Sequence, residues 1–222
     1  MSSFKQLFNK KTFLKQNENV VIKPDKNYLK SLIQTSNNKF KQFKYIEIND
    51  DSCDIYYMPT KNQNYIGLQL GLSEQARLMK YNIQESTKIR SNSKNYIKIY
   101  KKDNKILKIE KFNNGKFDCT YLACYENEYR YLFPYTETGH KYPTYLCVSR
   151  FENNKVAEEY MVQSNQIIYS KYGKQKDGKV NYYYINYVPE GKAPILEEKS
   201  GYYLVDSLEY IEKEYYVWLQ NR

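Results

Sequence analysis

The sequence predicts an α+β protein: an antiparallel β-meander sheet with N-terminal helices, one internal helix and a C-terminal helix. Three observations predict it. From residue 96 onward, short runs alternate apolar and polar residues, the period of a half-buried strand. Between those runs stand Asn113-Asn114-Gly115, Glu126-Asn127, Asn153-Asn154, Ser164-Asn165, Lys176-Asp177-Gly178 and Pro189-Glu190-Gly191. Such residues accept the positive φ of tight hairpin turns. A parallel sheet would need crossover helices, and connections this short leave no room for them.

Taken in order, Phe4, Leu7, Phe8 and Phe13-Leu14 form a loose helical stripe. Asp25 is placed to cap a second helix carrying Tyr28, Leu29, Leu32 and Ile33, which the polar stretch Thr35–Asn38 should end. Phe43–Ile48 and Asp54–Met58 flank the acidic stretch 49–52 and predict a hairpin. Ser73–Lys80 has helix formers behind a capping Ser73, and is the expected internal helix. In the next hairpin, Ile97 and Ile99 share a face with Leu107 and Ile109 only if Ile99 pairs with Ile109. That register centres the loop near Asn104 and sets Lys98 opposite Glu110. Further strands are expected at 116–125, 128–133, 144–151, 155–163, 166–172, 180–187 and 202–205. Asp206 with Glu209 resembles a capping box, and Leu208, Ile211, Tyr215, Trp218 and Leu219 share one helical face, so the end is expected to be helical. The competing reading is a last strand over Tyr215–Leu219. The expected division is an N-terminal helical basic arm, 1–40, and a single β-rich domain, 41–222.

At 222 residues, 41% hydrophobic and 27% charged, the composition excludes a disordered chain. No run approaches the roughly 18 apolar residues of a membrane span. The N-terminal stretch lacks the apolar core of a secretory signal. Cys53, Cys119, Cys124 and Cys147 are spaced too widely for a secreted disulfide framework. A cytoplasmic protein without membrane contact is therefore expected. The net charge of +10 comes from 35 basic and 25 acidic residues, but Lys outnumbers Arg 30 to 5. Lysine attracts phosphate as a point charge and lacks the fork with which arginine reads bases. The charge concentrates in residues 1–30, with seven Lys against Glu18 and Asp25, and in 88–116, with ten basic groups against Asp103 and Glu110. Lys, Asn and Tyr all have AT-rich codons, which accounts for part of their abundance.

Tests for catalysis return little. His140 is the one histidine, in a loop-like setting between Gly139 and Pro143. Cys119, Cys124 and Cys147 fall inside strand patterns, where thiols are commonly buried and inert. Cys119 and Cys124 are five apart, which sends them to opposite faces of a strand and spoils a zinc knuckle. Gly67–Gly71 lacks both the Lys-Ser/Thr of a P-loop and dinucleotide-fold spacing. The adjacent carboxylates at 50–51, 158–159 and 197–198 read as turns or solvated faces. No catalytic residue, no metal ligand set and no cofactor are expected, and the protein is read as a non-enzyme.

The remaining signal is tyrosine, 27 residues with clusters such as Tyr182-Tyr183-Tyr184 and Tyr56-Tyr57. Inward tyrosines would build core, while outward ones would make an adhesive surface for proteins or stacked bases. Lys94, Tyr96, Lys98, Tyr100, Lys101, Lys102, Lys105 and Lys108 interleave charge with aromatic rings and form the candidate binding ribbon for a partner or nucleic acid. The segments Phe112–Lys116 and Lys176–Tyr184, with fainter echoes at Asn154-Lys155 and Glu190–Lys192, resemble MORN-type antitoxin repeats. The resemblance spans about residues 105–205 and implies a β-rich protein that binds and neutralises another protein. The function expected is therefore a non-enzymatic inhibitor of a partner protein or ribonucleoprotein: an antitoxin, an immunity protein, or a phage-type inhibitor of a defence nuclease such as a CRISPR effector. The alternative is a Lys/Tyr-based binder of RNA or DNA, of low sequence specificity, acting through 88–116.

Overall fold

A computed structural model describes residues 21, 23–59, 87–89, 93–103, 105–136, 138–140, 145–153, 155–173, 179–190, 193–204 and 209–217. They form one α-helix, α1 (Lys26–Gln42), a short 3₁₀ turn (Asp50–Ser52) and eleven strands. The strands are β1 (Asp54–Pro59), β2 (Tyr96–Lys102), β3 (Lys105–Asn113), β4 (Lys116–Glu126), β5 (Tyr129–Tyr135), β6 (Leu146–Glu152), β7 (Lys155–Gln163), β8 (Gln166–Tyr172), β9 (Lys179–Tyr187), β10 (Ile195–Leu204) and β11 (Glu209–Val217). They make one sheet in which every strand lies beside its sequence neighbours, all pairs antiparallel.

The turns follow from local chemistry. Asp103, Asn114, Asn127, Asn153 and Ser164 each open a hairpin turn with φ near +50°. Gly115, at φ +75°, completes the Asn114-Gly115 turn, where a Cβ would be strained. The register pairs Ile99 with Ile109 and Lys98 with Glu110. The odd residue that this register demands sits in a bulge rather than in the loop. Tyr100 pairs with Lys108 but Lys101 with Ile106, leaving Leu107 without an opposite number. The same device leaves Asp118 unopposed in β4 and Ala157 in β7.

Helix α1 lies against one face of the sheet, called here the helix face. The Asp25 side chain accepts the Tyr28 N–H at 2.7 Å and caps it. Leu29, Leu32 and Ile33 are buried among Tyr131 and Phe133 of β5, Tyr160 and Val162 of β7, Tyr169 of β8 and Tyr183 and Ile185 of β9. Burying each of these aliphatic side chains contributes roughly 1.5–3 kcal/mol. The polar stretch 35–38 does not stop the helix. Ser36 is buried, Asn37 donates to the Ser164 carbonyl at 2.9 Å, and Phe40 stacks on Phe133. Tertiary packing there overrides local propensity.

Two other expectations are overturned. Residues 43–48 form no hairpin with 54–58. Instead they join no strand and pack aromatic rings on the helix face, and β1 pairs with β2. The reason is aromatic packing: Phe43 lies parallel to Phe133 at 3.9 Å, and Tyr45 meets Tyr135 edge-on at 5.2 Å. The expected arrangement of N-terminal, internal and C-terminal helices is also not kept: among the described residues α1 is the one α-helix. The C-terminal stretch is β11, paired with β10 from Glu197↔Val217 to Leu204↔Glu209. Tyr215, Tyr216 and Val217 are strong strand formers, and β10 offers them a pairing edge. The internal helix at 73–80 and the stripe at 4–14 lie outside the described residues.

The chain from Lys23 to Ser52 thus forms a strap across the helix face. Its polar tethers are Lys23 to Glu198 of β10 at 2.9 Å, Tyr28 to Glu158 of β7 at 2.8 Å, Lys39 to Glu126 of β4, and Asp50 to Lys108 of β3. On the opposite face, Ile97, Ile99, Ile109, Cys119, Tyr121, Leu132 and Cys147 make a second core. Among the described residues, no helix is long and apolar enough to cross a membrane.

Candidate functional site

The eight residues of the predicted ribbon divide into three groups. Tyr96, Lys98, Tyr100 and Lys108 lie on the helix face of the β2–β3 hairpin. Tyr100 is buried there, and its hydroxyl donates to Glu110 Oε2 at 2.7 Å. Lys108 is buried between Asp50 and Glu110, with its ammonium 3.9 Å from the centre of the Tyr100 ring. Burial works against the Lys108 charge, but the bonds to Asp50 and Glu110 outweigh it and raise its pKa. Tyr100 and Lys108 therefore spend their chemistry inside the fold. Half-buried Lys98 sits over the other partner of this cluster, 4.5 Å from the Tyr100 ring.

Tyr96 belongs to an aromatic row. It stacks on Phe112 at 4.6 Å, lies tilted to Tyr57 at 6.2 Å, and Phe112 meets Phe117 edge-on at 5.9 Å. Within this row Tyr96 and Phe112 turn their faces to one another. Exposed Lys94 stands at the same end of the hairpin, where its carbonyl accepts the Gly115 N–H at 2.7 Å.

The third group, Lys101, Lys102 and Lys105, crowns the opposite end of the hairpin. Lys101 lies across from Asp54 and over the Tyr56 ring at 4.9 Å. Lys102 and Lys105 are exposed and directly opposite one another in the ladder. Lys105 reaches over Tyr125 at 5.7 Å, and the Tyr125 hydroxyl in turn accepts the Ile106 N–H at 3.1 Å. Among the described residues neither Lys102 nor Lys105 has a carboxylate at ion-pair distance. Like charges facing across a ladder cost roughly 0.2–1 kcal/mol, so this tip carries a local penalty for holding its charge.

The sheet also holds two buried polar rows that the sequence did not disclose. Glu158 and Glu159 are adjacent yet buried, at 3% and 1% exposure, not on a solvated face as expected. They point to opposite faces because they are neighbours in a strand. On the helix face, Arg150 donates to Glu158 at 2.8 Å and to Glu152 at 2.7 Å, with Lys171 3.9 Å from Glu158. On the other face, Arg130 donates to Ser149 at 3.0 Å, Ser149 to Glu159 at 3.4 Å, and Tyr172 to Glu159 at 3.3 Å. The available signal was the scarcity of arginine: two of its five copies, Arg130 and Arg150, fall inside strand patterns.

Most of the tyrosines whose side chains are described are buried. Tyr182, Tyr183 and Tyr184 are all buried, on both faces, and among those tyrosines only Tyr45 is exposed. Strands β1 to β9 therefore present no exposed tyrosine among the described residues. Burial pushes the Tyr131 and Tyr135 hydroxyls up to about 12 and the Cys119 thiol up to about 11. Cys147, wholly enclosed, is also raised. These thiols are protonated at neutral pH and poor nucleophiles. His140 is exposed, and its backbone closes the 136–140 turn through Thr136. Among the described residues, no cluster of His, Cys, Asp or Glu could hold a metal ion. Comparison with known proteins finds no matching family model, no matching curated sequence and no matching solved structure.

Proposed function

We propose that this chain is a non-enzymatic binding protein that inhibits a partner protein or ribonucleoprotein by occupying an acidic surface on it. The observation that carries the reading is the exposed Lys102–Lys105 pair at the β2–β3 tip. A rigid hairpin holds two cations against each other at a cost in stability, and an anionic partner would repay that cost. The resemblance of residues 105–205 to MORN-type antitoxin repeats points the same way. A protein surface is favoured over bare nucleic acid because Tyr96 and Phe112 cover each other's faces, with Tyr57 and Phe117 half-buried beside them. Base stacking needs ring faces turned to solvent.

The test is affinity purification from the native host with the wild-type chain and with Lys102→Glu/Lys105→Glu, at low and high salt, analysing protein and nucleic acid together. A stoichiometric protein partner should come with the wild type and be lost with the variant. Recovery of nucleic acid alone, with strong salt dependence, would replace this reading with the nucleic-acid one.

A further inference from the structure

Helix α1 has two unlike sides. Leu29, Leu32, Ile33 and Ser36 are buried against the sheet, and Tyr28 and Phe40 pack beside them. Every exposed residue of the helix is Lys, Asn, Ser, Gln or Thr, and no Asp or Glu occurs from Lys26 to Gln42. Lys26, Lys30 and Lys41 are all exposed. By helical geometry they fall within about 60° of one another around the axis, in a row about 22 Å long. The sheet acids that meet the strap are already engaged: Glu198 by Lys23, Glu158 by Arg150 and Tyr28, and Glu126 by Lys39. Among the described residues no carboxylate lies at ion-pair distance from Lys26, Lys30 or Lys41. The fold does not ask for this row. Lys26 opens the helix, where the dipole disfavours a cation, and the first turn has no acid to offset it. Lys26 and Lys30 stand at i and i+4, where like charges repel.

We infer that this lysine flank of α1 is a docking surface for the phosphate backbone of a nucleic-acid duplex. Charge and composition select this occupant. A duplex carries negative charge continuously, about one per 1.7 Å of its axis, and so matches a straight row of one sign along its whole length. Lys, Asn, Gln, Ser and Thr are side chains that donate to phosphate oxygens. The flank offers no apolar or aromatic group, and the other candidates need one. Protein interfaces are built around apolar and aromatic centres and are poor in lysine. Single strands are held by stacking on aromatic rings. Membrane-surface helices turn an apolar face into lipid, and the apolar face of α1 is taken by the sheet. Lysine has no fork for reading bases, so the duplex is bound without regard to sequence. Because Leu29, Leu32 and Ile33 fix the helix on the sheet, its backbone loses little freedom on docking. This surface goes beyond the reading of the Lys102–Lys105 tip. A ribonucleoprotein would offer an acidic protein face to the tip and an RNA duplex to the helix.

The test is fluorescence anisotropy of the full chain with labelled duplexes, in DNA and RNA forms and in two unrelated sequences. Three phosphate contacts should weaken binding at least about 40-fold between about 50 and 200 mM salt. Lys26→Gln/Lys30→Gln/Lys41→Gln, exposed changes to a good helix former, should bind at least about tenfold more weakly at the lower salt and lose most of that salt dependence. Lys102→Gln/Lys105→Gln should bind duplex like wild type. A second measurement needs no variant: duplex should protect Lys26, Lys30 and Lys41 of the wild-type chain from amine acylation and leave Lys102 and Lys105 reactive. The inference falls if no duplex binds at the lower salt, if the two sequences differ more than about tenfold, or if the glutamine variant of α1 behaves like wild type. It also falls if the tip variant weakens binding as much, if acylation protection appears elsewhere, or if a single strand, a phosphatidylserine vesicle or polyglutamate binds more tightly than duplex. Capture of a partner protein through the tip is read separately by the host purification, so either proposal can fail alone.

Discussion

The centre of the sheet beneath α1 and the tip of the β2–β3 hairpin are built from the same residue types and use them in opposite ways. Beneath the strap, two buried charges are matched: Glu158 takes Arg150, Tyr28 and Lys171 as partners, and Lys108 takes Asp50 and Glu110. At the tip, Lys102 and Lys105 face one another. Lysine buried beneath the strap adds to the fold, while lysine at the tip subtracts from it. The difference teaches where to look for function. A charge that the fold neutralises tells about folding, and a charge that the fold tolerates at a cost tells about a partner.

The largest effect that would sharpen this contrast is alkaline unfolding. Tyr131 and Tyr135 hold their protons to about 12 in the fold, against about 10 in the unfolded chain. The folded state binds more protons in that window, so stability is full below pH 10 and falls as pH climbs through 10 to about 12. Absorbance at the phenolate band should rise together with loss of the circular-dichroism signal. Early ionisation of most tyrosines in a still-folded protein would break the picture of an inward-facing tyrosine set.

Arg150→Ala comes next. It leaves the Glu158 carboxylate buried without its main partner and should cost about 3–5 kcal/mol in urea unfolding. Leu29→Ala, which empties part of the α1 contact, should cost about 2–5 kcal/mol by the same assay. A loss below about 1 kcal/mol would mean that the strap is not held by its apolar face. Tyr28→Phe removes one hydrogen bond to a charged group and should cost about 1.5–3 kcal/mol.

The smallest effect has the opposite sign. Lys102→Glu replaces a repulsion with an attraction across the ladder and should raise stability by about 0.2–1 kcal/mol while abolishing partner capture. Stability and binding moving in opposite directions is the signature of a residue retained for contact. If both fall together, the tip is part of the fold after all.

Much of the meander was legible because its rules are local. The alternation of Ile97, Ile99 and Ile109 set a register that the structure keeps, and Asn114-Gly115 announced its turn. What was illegible depends on distant partners. Phe43 and Tyr45 alternate like a strand, but their rings find Phe133 and Tyr135 about 90 residues away. Residues 35–38 look like a helix stop, yet Ser36 is buried and Asn37 bonds the Ser164 carbonyl of the sheet's β7–β8 turn. The C-terminal run satisfies both a helical and a strand period, and the pairing edge of β10 decides between them. Within the candidate ribbon, the sequence brought Lys and Tyr together but not Asp50, whose arrival from the strap takes Lys108 out of the binding set.

Adjacent-only pairing has one further consequence. A sheet of this kind can lengthen or shorten by a hairpin without disturbing any single turn, so nothing local counts its strands. The strap does, because Lys23 must reach Glu198 on β10 while Asp50 reaches Lys108 on β3. It serves as a ruler laid across the fabric, and a chain with one hairpin inserted or deleted between β4 and β9 would keep its weave but no longer fit its own measure.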